Sequence, residues 1–232
     1  MLIIVLYFFS FVIVALVSRI FKNAGTRKLF EIVLCFCLLF GFFGFRDITV
    51  LNDTPHYYGY YYGKSLYTSY LNESIFTFHF MDKFEYGFQV LVHFLIKYVS
   101  KDPYTIILFS SLIITIGNLW FIQKKSKSVA MVCFFMLISY VFFMHYCIIR
   151  QSFAIIIFYI AYCNYLEKGH NVRYCMLILL ASSFHSSALV LLLLPVFKLI
   201  KPTKSHTLLI LGGAVIMALF IFKLFAAFGL HN

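Results

Sequence analysis

The chain has 232 residues, of which 63% are hydrophobic and 12% are charged. Ordinary soluble domains are about 45 to 50% apolar and about 25% charged, so this composition excludes a water-soluble globular fold. The formal charge of +11 does not indicate a nucleic-acid-binding protein, because the basic residues lie in short clusters between apolar runs, as membrane-orientation signals do.

The first apolar run, residues 2–18, predicts a membrane span whose N-terminus lies outside the cytoplasm. No basic residue precedes this run, whereas Arg19, Lys22, Arg27 and Lys28 follow it. Because positive charge favours the cytoplasmic side of a span, we expect an uncleaved first span and not a secretory signal.

Apolar runs of similar length recur along the chain. A helix needs about 17 to 25 residues to cross a hydrocarbon core of about 30 Å. The sequence therefore predicts an all-α, polytopic integral membrane protein with about eight transmembrane helices in a single membrane domain, residues 1–232. The candidate spans are 2–18, 29–45, 103–122, 129–146, 151–166 and 207–228, and the shorter apolar segments are 86–99, 172–184 and 187–199.

The shorter segments determine the predicted topology. Residues 86–99 would reach only ~21 Å as a helix, so we expect a re-entrant or interfacial segment there. All basic clusters then fall on the cytoplasmic side. A single helix over 129–166 would be ~57 Å long, which predicts a break at His145–Gln151. A second break is expected at Ser182–Ser187, between two half-length helices.

The connection 46–84 is predicted to be an extracytoplasmic loop with a function. Connections this long are usually functional or disordered, and the many aromatic residues argue against disorder. Asp53-Thr54-Pro55 predicts a helix start in which an Asp53 oxygen caps the first turn. The tyrosines that would share one face of this helix are Tyr57, Tyr58, Tyr61 and Tyr62.

Two interpretations of these tyrosines are open. They can form a platform for sugar rings beside Arg46 and Asp53, or an aromatic belt at the membrane interface with an ordinary helix cap. Composition alone favours the belt.

Arg150 interrupts a run that is otherwise apolar from Val129 to Tyr162. An arginine at the centre of a span costs about 2.5 to 3.5 kcal/mol or more, so it normally faces an aqueous cavity or a counter-charge. Its planar guanidinium suits a phosphate or pyrophosphate oxygen, and Gln151 and His145 are close in sequence. The alternative is an arginine that extends to the interface at a helix start.

His185 and Glu85 are the other candidate functional groups. His185 lies in the predicted break Ser182–Ser187, and a broken helix at membrane depth is tolerated where it lines a cavity. The alternative is a structural histidine. Glu85 is the carboxylate nearest the predicted re-entrant segment, and it can pair with Arg46 or with Arg150.

No metal site or cofactor site is expected. All six cysteines lie in or at the ends of apolar runs, without zinc-type spacing, and are interpreted as small core residues. The motifs of soluble hydrolases, nucleotide-binding loops and dinucleotide-binding folds are absent from the sequence.

Taken in order, these residues resemble the EpsG family of exopolysaccharide and O-antigen polymerases, of the EpsG/Wzy type. The matching pieces, over about residues 30–200, are Phe45-Arg46-Asp47, Asn52-Asp53-Thr54 with Tyr57-Tyr58, Glu85-Tyr86-Gly87, Ile149-Arg150-Gln151-Ser152, and Phe184-His185-Ser186-Ser187-Ala188 with Pro195. Many relatives have Gly-Thr-Asp where this chain has Leu51-Asn52-Asp53. Relatives also commonly continue with further spans, so the chain is expected to lack the family's C-terminal portion.

The resemblance implies glycosyl transfer between lipid carriers at the outer face of the bacterial cytoplasmic membrane. A growing glycan leaves its polyprenyl diphosphate and joins the next lipid-linked repeat unit. The expected partners are a polyprenyl-diphosphate-linked oligosaccharide, the lipid bilayer, a chain-length regulator and a flippase, with no nucleic acid. The implied catalytic residues are Asp53, His185 and Glu85, and the implied substrate-binding residues are Arg46, Arg150, Gln151, Tyr57, Tyr58 and His145.

Two rival functions are compatible with the same residues. A transporter or flippase for a lipid-linked sugar also needs an intramembrane arginine and broken helices, but its polar groups should lie near mid-membrane. Here they are predicted to collect on one face, which favours the polymerase. A non-catalytic membrane subunit would leave Arg150 and His185 without a role.

Overall fold

The computed structural model describes residues 2–79, 82–199 and 212–213. Every regular element in these ranges is helical, which confirms the predicted all-α fold. The helices are α1 Leu2–Val17, α2 Ala24–Gly44, α3 Thr54–Ser65, α4 Thr68–Asn72, α5 Tyr86–Tyr98, α6 Tyr104–Lys125, α7 Val129–Ile138, α8 Val141–Cys147, α9 Ile149–Ala161, α10 Asn171–Ser182 and α11 Leu194–Leu199, with short 3₁₀ or π segments at Ser18–Ile20, Tyr162–Leu166 and Ser186–Leu193.

The chain divides into two compact units, Met1–Leu192 and Leu193–Asn232. The first contains α1 to α10. The described residues of the second unit include α11. Pro195 lies in the first turn of α11, where a backbone N–H has no partner within the helix, so the proline costs no hydrogen bond. The predicted span at 207–228 lies outside the described residues, apart from 212–213.

The described helices that could cross a membrane lie in the middle of the chain. Among the described residues, Tyr104–Lys125 and Ile149–Leu166 are long and apolar enough to cross a bilayer, and the bent pair α7–α8 adds a third candidate. The count of about eight spans and the outside position of the N-terminus stay predictions.

The helices break where the sequence indicates, and at one further place. Ile148, with φ −91° and ψ 67°, separates α8 from α9, so the break predicted at His145–Gln151 is confirmed. The break at Ser182–Ser187 is confirmed as well. The unpredicted break is at Tyr140, whose left-handed backbone at φ 67° accompanies a bend of 77° between α7 and α8. The Tyr140 ring stacks on Phe143 with centroids 4.8 Å apart, a contact that favours the bend.

Two of the apolar clusters in the described core of the first unit are large. One joins α1, α2, α6, α7 and α8, and within it Phe43 stacks on Tyr146 with ring centroids 3.9 Å apart. The other joins α3 and α4 to α5, α6 and α9, and it contains the buried rings of Tyr57, Tyr61 and Phe88. Helices α3 and α4 of the connection 46–84 therefore form a packed layer on α5 and α6.

Helices α6 and α9 approach closely at Gly117. A Cβ at this position would lie 2.7 Å from both Ile156 Cγ1 and Cγ2. Gly117→Ala is therefore expected to lower the free energy of unfolding by about 1 to 3 kcal/mol, the usual cost of overpacking. Thermal unfolding of the protein in nanodiscs, followed by intrinsic fluorescence, measures the change.

Gly41→Ala in α2 is the matched control, because a Cβ there meets nothing within 4 Å. Alanine is the better helix former by about 1 kcal/mol, so this variant should be unchanged or slightly more stable. Equal losses of stability in the two variants would contradict the close packing at Gly117.

Candidate functional site

The beginning of α5 is joined to the end of α10 at Gly87. The Gly87 N–H donates to the Ser183 carbonyl oxygen at 2.7 Å. A Cβ on Gly87 would lie 2.5 Å from Ser183 Oγ and 2.9 Å from its carbonyl oxygen, so only glycine permits this approach. The contact brings Glu85, immediately before α5, to His185, three residues after the end of α10.

Glu85, Arg150 and His185 form one cluster. Arg150, in the first turn of α9, donates from Nη1 to Glu85 Oε2, and His185 Nδ1 lies 3.2 Å from Glu85 Oε1. The three side chains retain 23 to 27% of their exposure, so the cluster is partly buried and open on one side. Of the two arginines predicted as partners of Glu85, the structure selects Arg150.

The environment of Glu85 favours its charged form. Burial raises the pKa of this carboxyl, but the backbone hydrogen bond of Glu85, the Arg150 guanidinium and His185 together outweigh burial and hold the pKa below its ordinary value. An ionised Glu85 therefore fixes the position of Arg150. The Arg150 side chain retains 24% of its exposure, so it remains partly accessible to a ligand, although its Nε is buried without a hydrogen-bond partner among the described residues.

A cavity of about 470 Å³ lies beside Arg150. The Arg150 guanidinium carbon lies 4.8 Å from the centre of the Phe84 ring, and Tyr60 meets the same ring edge-on at 4.6 Å. Burial raises the pKa of the Tyr57 hydroxyl, although nearby Arg150 opposes the shift. The residues that line the cavity are Asp53, His56, Tyr57, Tyr60, Lys83, Phe84 and Arg150.

The predicted helix start at Asp53 is confirmed, but the predicted capping oxygen is wrong. Helix α3 begins at Thr54, and the Asp53 side chain makes no capping hydrogen bond. Its backbone, with φ −88° and ψ −15°, is helical and not in the extended conformation that most capping residues adopt. The carboxylate lines the cavity instead.

A sequence model of the EpsG family matches residues 28–231, which include the whole cluster and the cavity beside it. The chain belongs to the EpsG family. Neither a curated protein nor a solved structure matches the chain. EpsG proteins are associated with polysaccharide polymerisation, and the apolar helices agree with a location in a membrane.

The four tyrosines of this EpsG protein that were predicted to share one face of α3 do not all line the cavity. Tyr57 lines the cavity and Tyr61 is fully buried, whereas Tyr58 packs at the edge of the core outside the cavity and Tyr62 is 52% exposed. The platform prediction missed Tyr60, which lies on the cavity side of α3.

The cavity-lining residues that the sequence analysis missed follow patterns that are visible in the sequence. Asp53, His56, Tyr57 and Tyr60 follow the i, i+3, i+4, i+7 spacing of one helical face, which extends from the predicted helix start. Lys83 and Phe84, also missed, directly precede Glu85 in the chain, and a search around Glu85 would have included them.

In this EpsG protein, Arg46 lies away from the cavity and is 6% exposed. Its guanidinium donates to the Phe43 carbonyl oxygen, to Ser111 Oγ at 2.9 Å, to Thr54 Oγ1 at 3.3 Å and to the Tyr146 carbonyl oxygen at 3.2 Å. These bonds tie the end of α2 to α3, α6 and α8. A phosphate contact by Arg46 stays a prediction that this position does not support.

His145 and Gln151 lie on opposite sides of the break that precedes α9. The buried His145 places Nδ1 3.1 Å from Asn118 Oδ1, and its carbonyl oxygen accepts from Ser152 Oγ at 2.6 Å, so it stabilises the break and does not line the cavity. Gln151 lines a second cavity of about 470 Å³, which is an apolar groove. The other groove residues are Ala154, Ile155, Phe158, Tyr159, Ser187, Ala188, Val190 and Leu191.

Proposed function

We propose that this protein polymerises lipid-linked oligosaccharide repeat units for exopolysaccharide, capsule or O-antigen. As a multi-pass protein of the bacterial cytoplasmic membrane, it transfers a glycan from polyprenyl diphosphate at the outer face. A flippase supplies the repeat units and a chain-length regulator sets the product size. The supporting observation is that Arg150, which belongs to the Glu85–Arg150–His185 cluster, lines a polar, aromatic cavity, while its neighbour Gln151 lines an apolar groove.

The order of these surfaces matches the order of parts in a lipid-linked sugar. Arg150 lines the polar cavity and the next residue, Gln151, lines the apolar groove. A polyprenyl-diphosphate-linked glycan likewise has a sugar part, a charged linkage and a hydrocarbon tail. In our proposal the sugar contacts Tyr57 and Tyr60, the diphosphate meets Arg150 and the tail enters the groove.

Arg150 stabilises the leaving group in the proposed reaction. The bond between the sugar's anomeric carbon and the diphosphate oxygen breaks, and its electron pair remains on the diphosphate. Arg150 supplies a fixed positive charge at the cavity, while Glu85 holds it in place. Lys83 lines the same cavity and adds a second positive charge.

The acceptor hydroxyl forms the new bond to the anomeric carbon and gives its proton to a base. Asp53 is our candidate, because its carboxylate lines the cavity and makes no capping bond. His185 is the alternative, since a Nδ1–H directed at Glu85 leaves Nε2 to accept a proton. Glu85 orients both neighbours.

The proposed function is tested in a strain whose own polymerase is deleted. Expression of this chain should convert single repeat units on the surface glycan into a ladder of long chains on a gel. Asp53→Asn should leave single units, whereas Asp102→Asn should retain the ladder, because Asp102 does not line the cavity and bonds the Tyr104 N–H instead.

Each alternative has a distinct outcome in this strain. A transporter of lipid-linked sugars would change the amount of single units at the outer face without lengthening them. A full ladder from an Asp53→Asn protein at normal membrane levels would exclude Asp53 as the base and leave His185.

A further inference from the structure

A second polar cavity lies at the opposite end of α2 from Arg46. Its volume is about 180 Å³, and its walls come from the 3₁₀ turn Ser18–Ile20 and from the first turns of α2 and α7. Helix α2 has 21 residues, which at about 1.5 Å each span roughly 31 Å, about the thickness of a hydrocarbon core. In the predicted topology this cavity lies at the cytoplasmic face.

Positive side chains dominate the lining of this cavity. Arg19, Arg27 and Lys127 line it together with one carboxylate, that of Glu31, so the formal charge of the lining is +2. Within residues 2–79 and 82–199, none of the three cations forms an ion pair with a carboxylate. Their charge is therefore available to an external anion.

Glu31 forms no ion pair with these cations in the part of the chain that the structure describes, because other groups bond to its oxygens. Its Oε1 lies 2.7 Å from Ser18 Oγ, and its Oε2 accepts from Ser128 Oγ at 3.1 Å and from the Ala130 N–H at 3.0 Å. The residue is 2% exposed and connects the ends of three helical segments. Glu31 therefore forms the buried base of the cavity, and the three cations form the basic rim around the cavity.

Apolar side chains lie directly beside the basic rim. Leu16, Val17 and Ile20, next to the lining residues of α1 and the 3₁₀ turn, are exposed. Exposed apolar surface beside a basic cavity matches a phosphate group joined to hydrocarbon chains, whereas free phosphate would use only the cavity. We propose that this cavity binds the phosphate headgroup of an anionic membrane lipid, whose acyl chains lie along α1. The proposal does not depend on the polymerase function.

The test measures how dioleoylphosphatidylglycerol stabilises the detergent-purified full chain against heat. The lipid should raise the melting temperature of the unaltered protein in a saturable way. In the variant Arg19→Gln/Arg27→Gln/Lys127→Gln, we expect apparent lipid affinity at least about tenfold weaker, since each basic residue contributes to attraction for anionic headgroups. If the triple variant does not fold, Lys127→Gln alone serves, because this side chain is exposed.

The control variant is Lys22→Gln/Lys28→Gln/Lys124→Gln. It removes the same charge from the same basic clusters, but none of its residues lines the cavity. Its lipid affinity should remain within about twofold of the unaltered protein. An equal loss in the control would show general surface attraction and overturn the proposal. Equal stabilisation by dioleoylphosphatidylcholine, or by inorganic phosphate at the same concentration, would overturn it as well.

Discussion

Arg150→Ala is expected to leave only single repeat units on the surface glycan of a strain that depends on this chain. Removing one preorganised donor from a developing negative charge typically slows a reaction by about 100- to 1,000-fold. Arg150 holds a full positive charge beside the cavity, so we place its loss in this range. Glycan length on a gel, normalised to membrane-protein level, measures the effect.

Two further variants separate charge from geometry. Arg150→Lys keeps the charge and loses the planar guanidinium, so it should make shortened chains. Arg173→Ala, an exposed arginine in the first turn of α10, should make chains of normal length. If Arg150→Ala reached the membrane in normal amounts and still made long chains, Arg150 would have no part in the reaction.

Glu85→Gln is expected to reduce both stability and polymerisation at neutral pH. The change removes the charge that Arg150 and His185 share, and Arg150 is then partly buried without a counter-charge. Breaking a fully buried pair costs about 3 to 5 kcal/mol, and partial exposure should reduce the loss of unfolding free energy to about 1 to 3 kcal/mol. Thermal unfolding in nanodiscs measures it.

The pH dependence of this difference follows from the lowered pKa of Glu85. A carboxylate whose pKa is lower in the folded state stabilises that state above its unfolded pKa, about 4.3 for glutamate. At neutral pH the free energy of unfolding of the unaltered protein should therefore exceed that of Glu85→Gln by the full difference of about 1 to 3 kcal/mol. The difference should shrink as the pH falls below that value and through the lower folded pKa.

Glu167→Gln is the control for this experiment. Glu167 pairs with Lys125, and the two side chains are 39% and 34% exposed. Loss of such a surface pair costs about 0 to 1 kcal/mol. A difference between unaltered protein and Glu85→Gln that grew towards acid pH would contradict the proposed role of an ionised Glu85.

The sequence predicted that Glu85 can pair with an arginine, Arg46 or Arg150, because a charge within an apolar run needs a partner. Arg150 in an apolar run requires a counter-charge or an aqueous cavity, and Glu85 is the carboxylate nearest the predicted re-entrant segment. The sequence could not show which of the two arginines, Arg46 or Arg150, is the partner of Glu85. It depends on the contact of Gly87 with Ser183, which joins segments far apart in sequence.

The incorrect details have local physical causes. Asp53 precedes a helix as a capping residue does, but its helical backbone angles direct the carboxylate away from the first-turn N–H groups. Arg46 donates to two backbone carbonyl oxygens and two hydroxyl oxygens, and its predicted phosphate contact stays a prediction; such acceptors carry no signature in the sequence. The bend at Tyr140 was missed because neither glycine nor proline marks it.

The most direct test of the account is a reconstituted reaction. The purified chain in proteoliposomes, with a lipid-linked repeat unit as the sole substrate, should release one polyprenyl diphosphate for each glycosidic bond that it forms, and the Arg150→Ala protein should release almost none. Folded, unaltered protein that neither lengthens the glycan nor releases polyprenyl diphosphate would contradict the account, as would equal release by the Arg150→Ala protein.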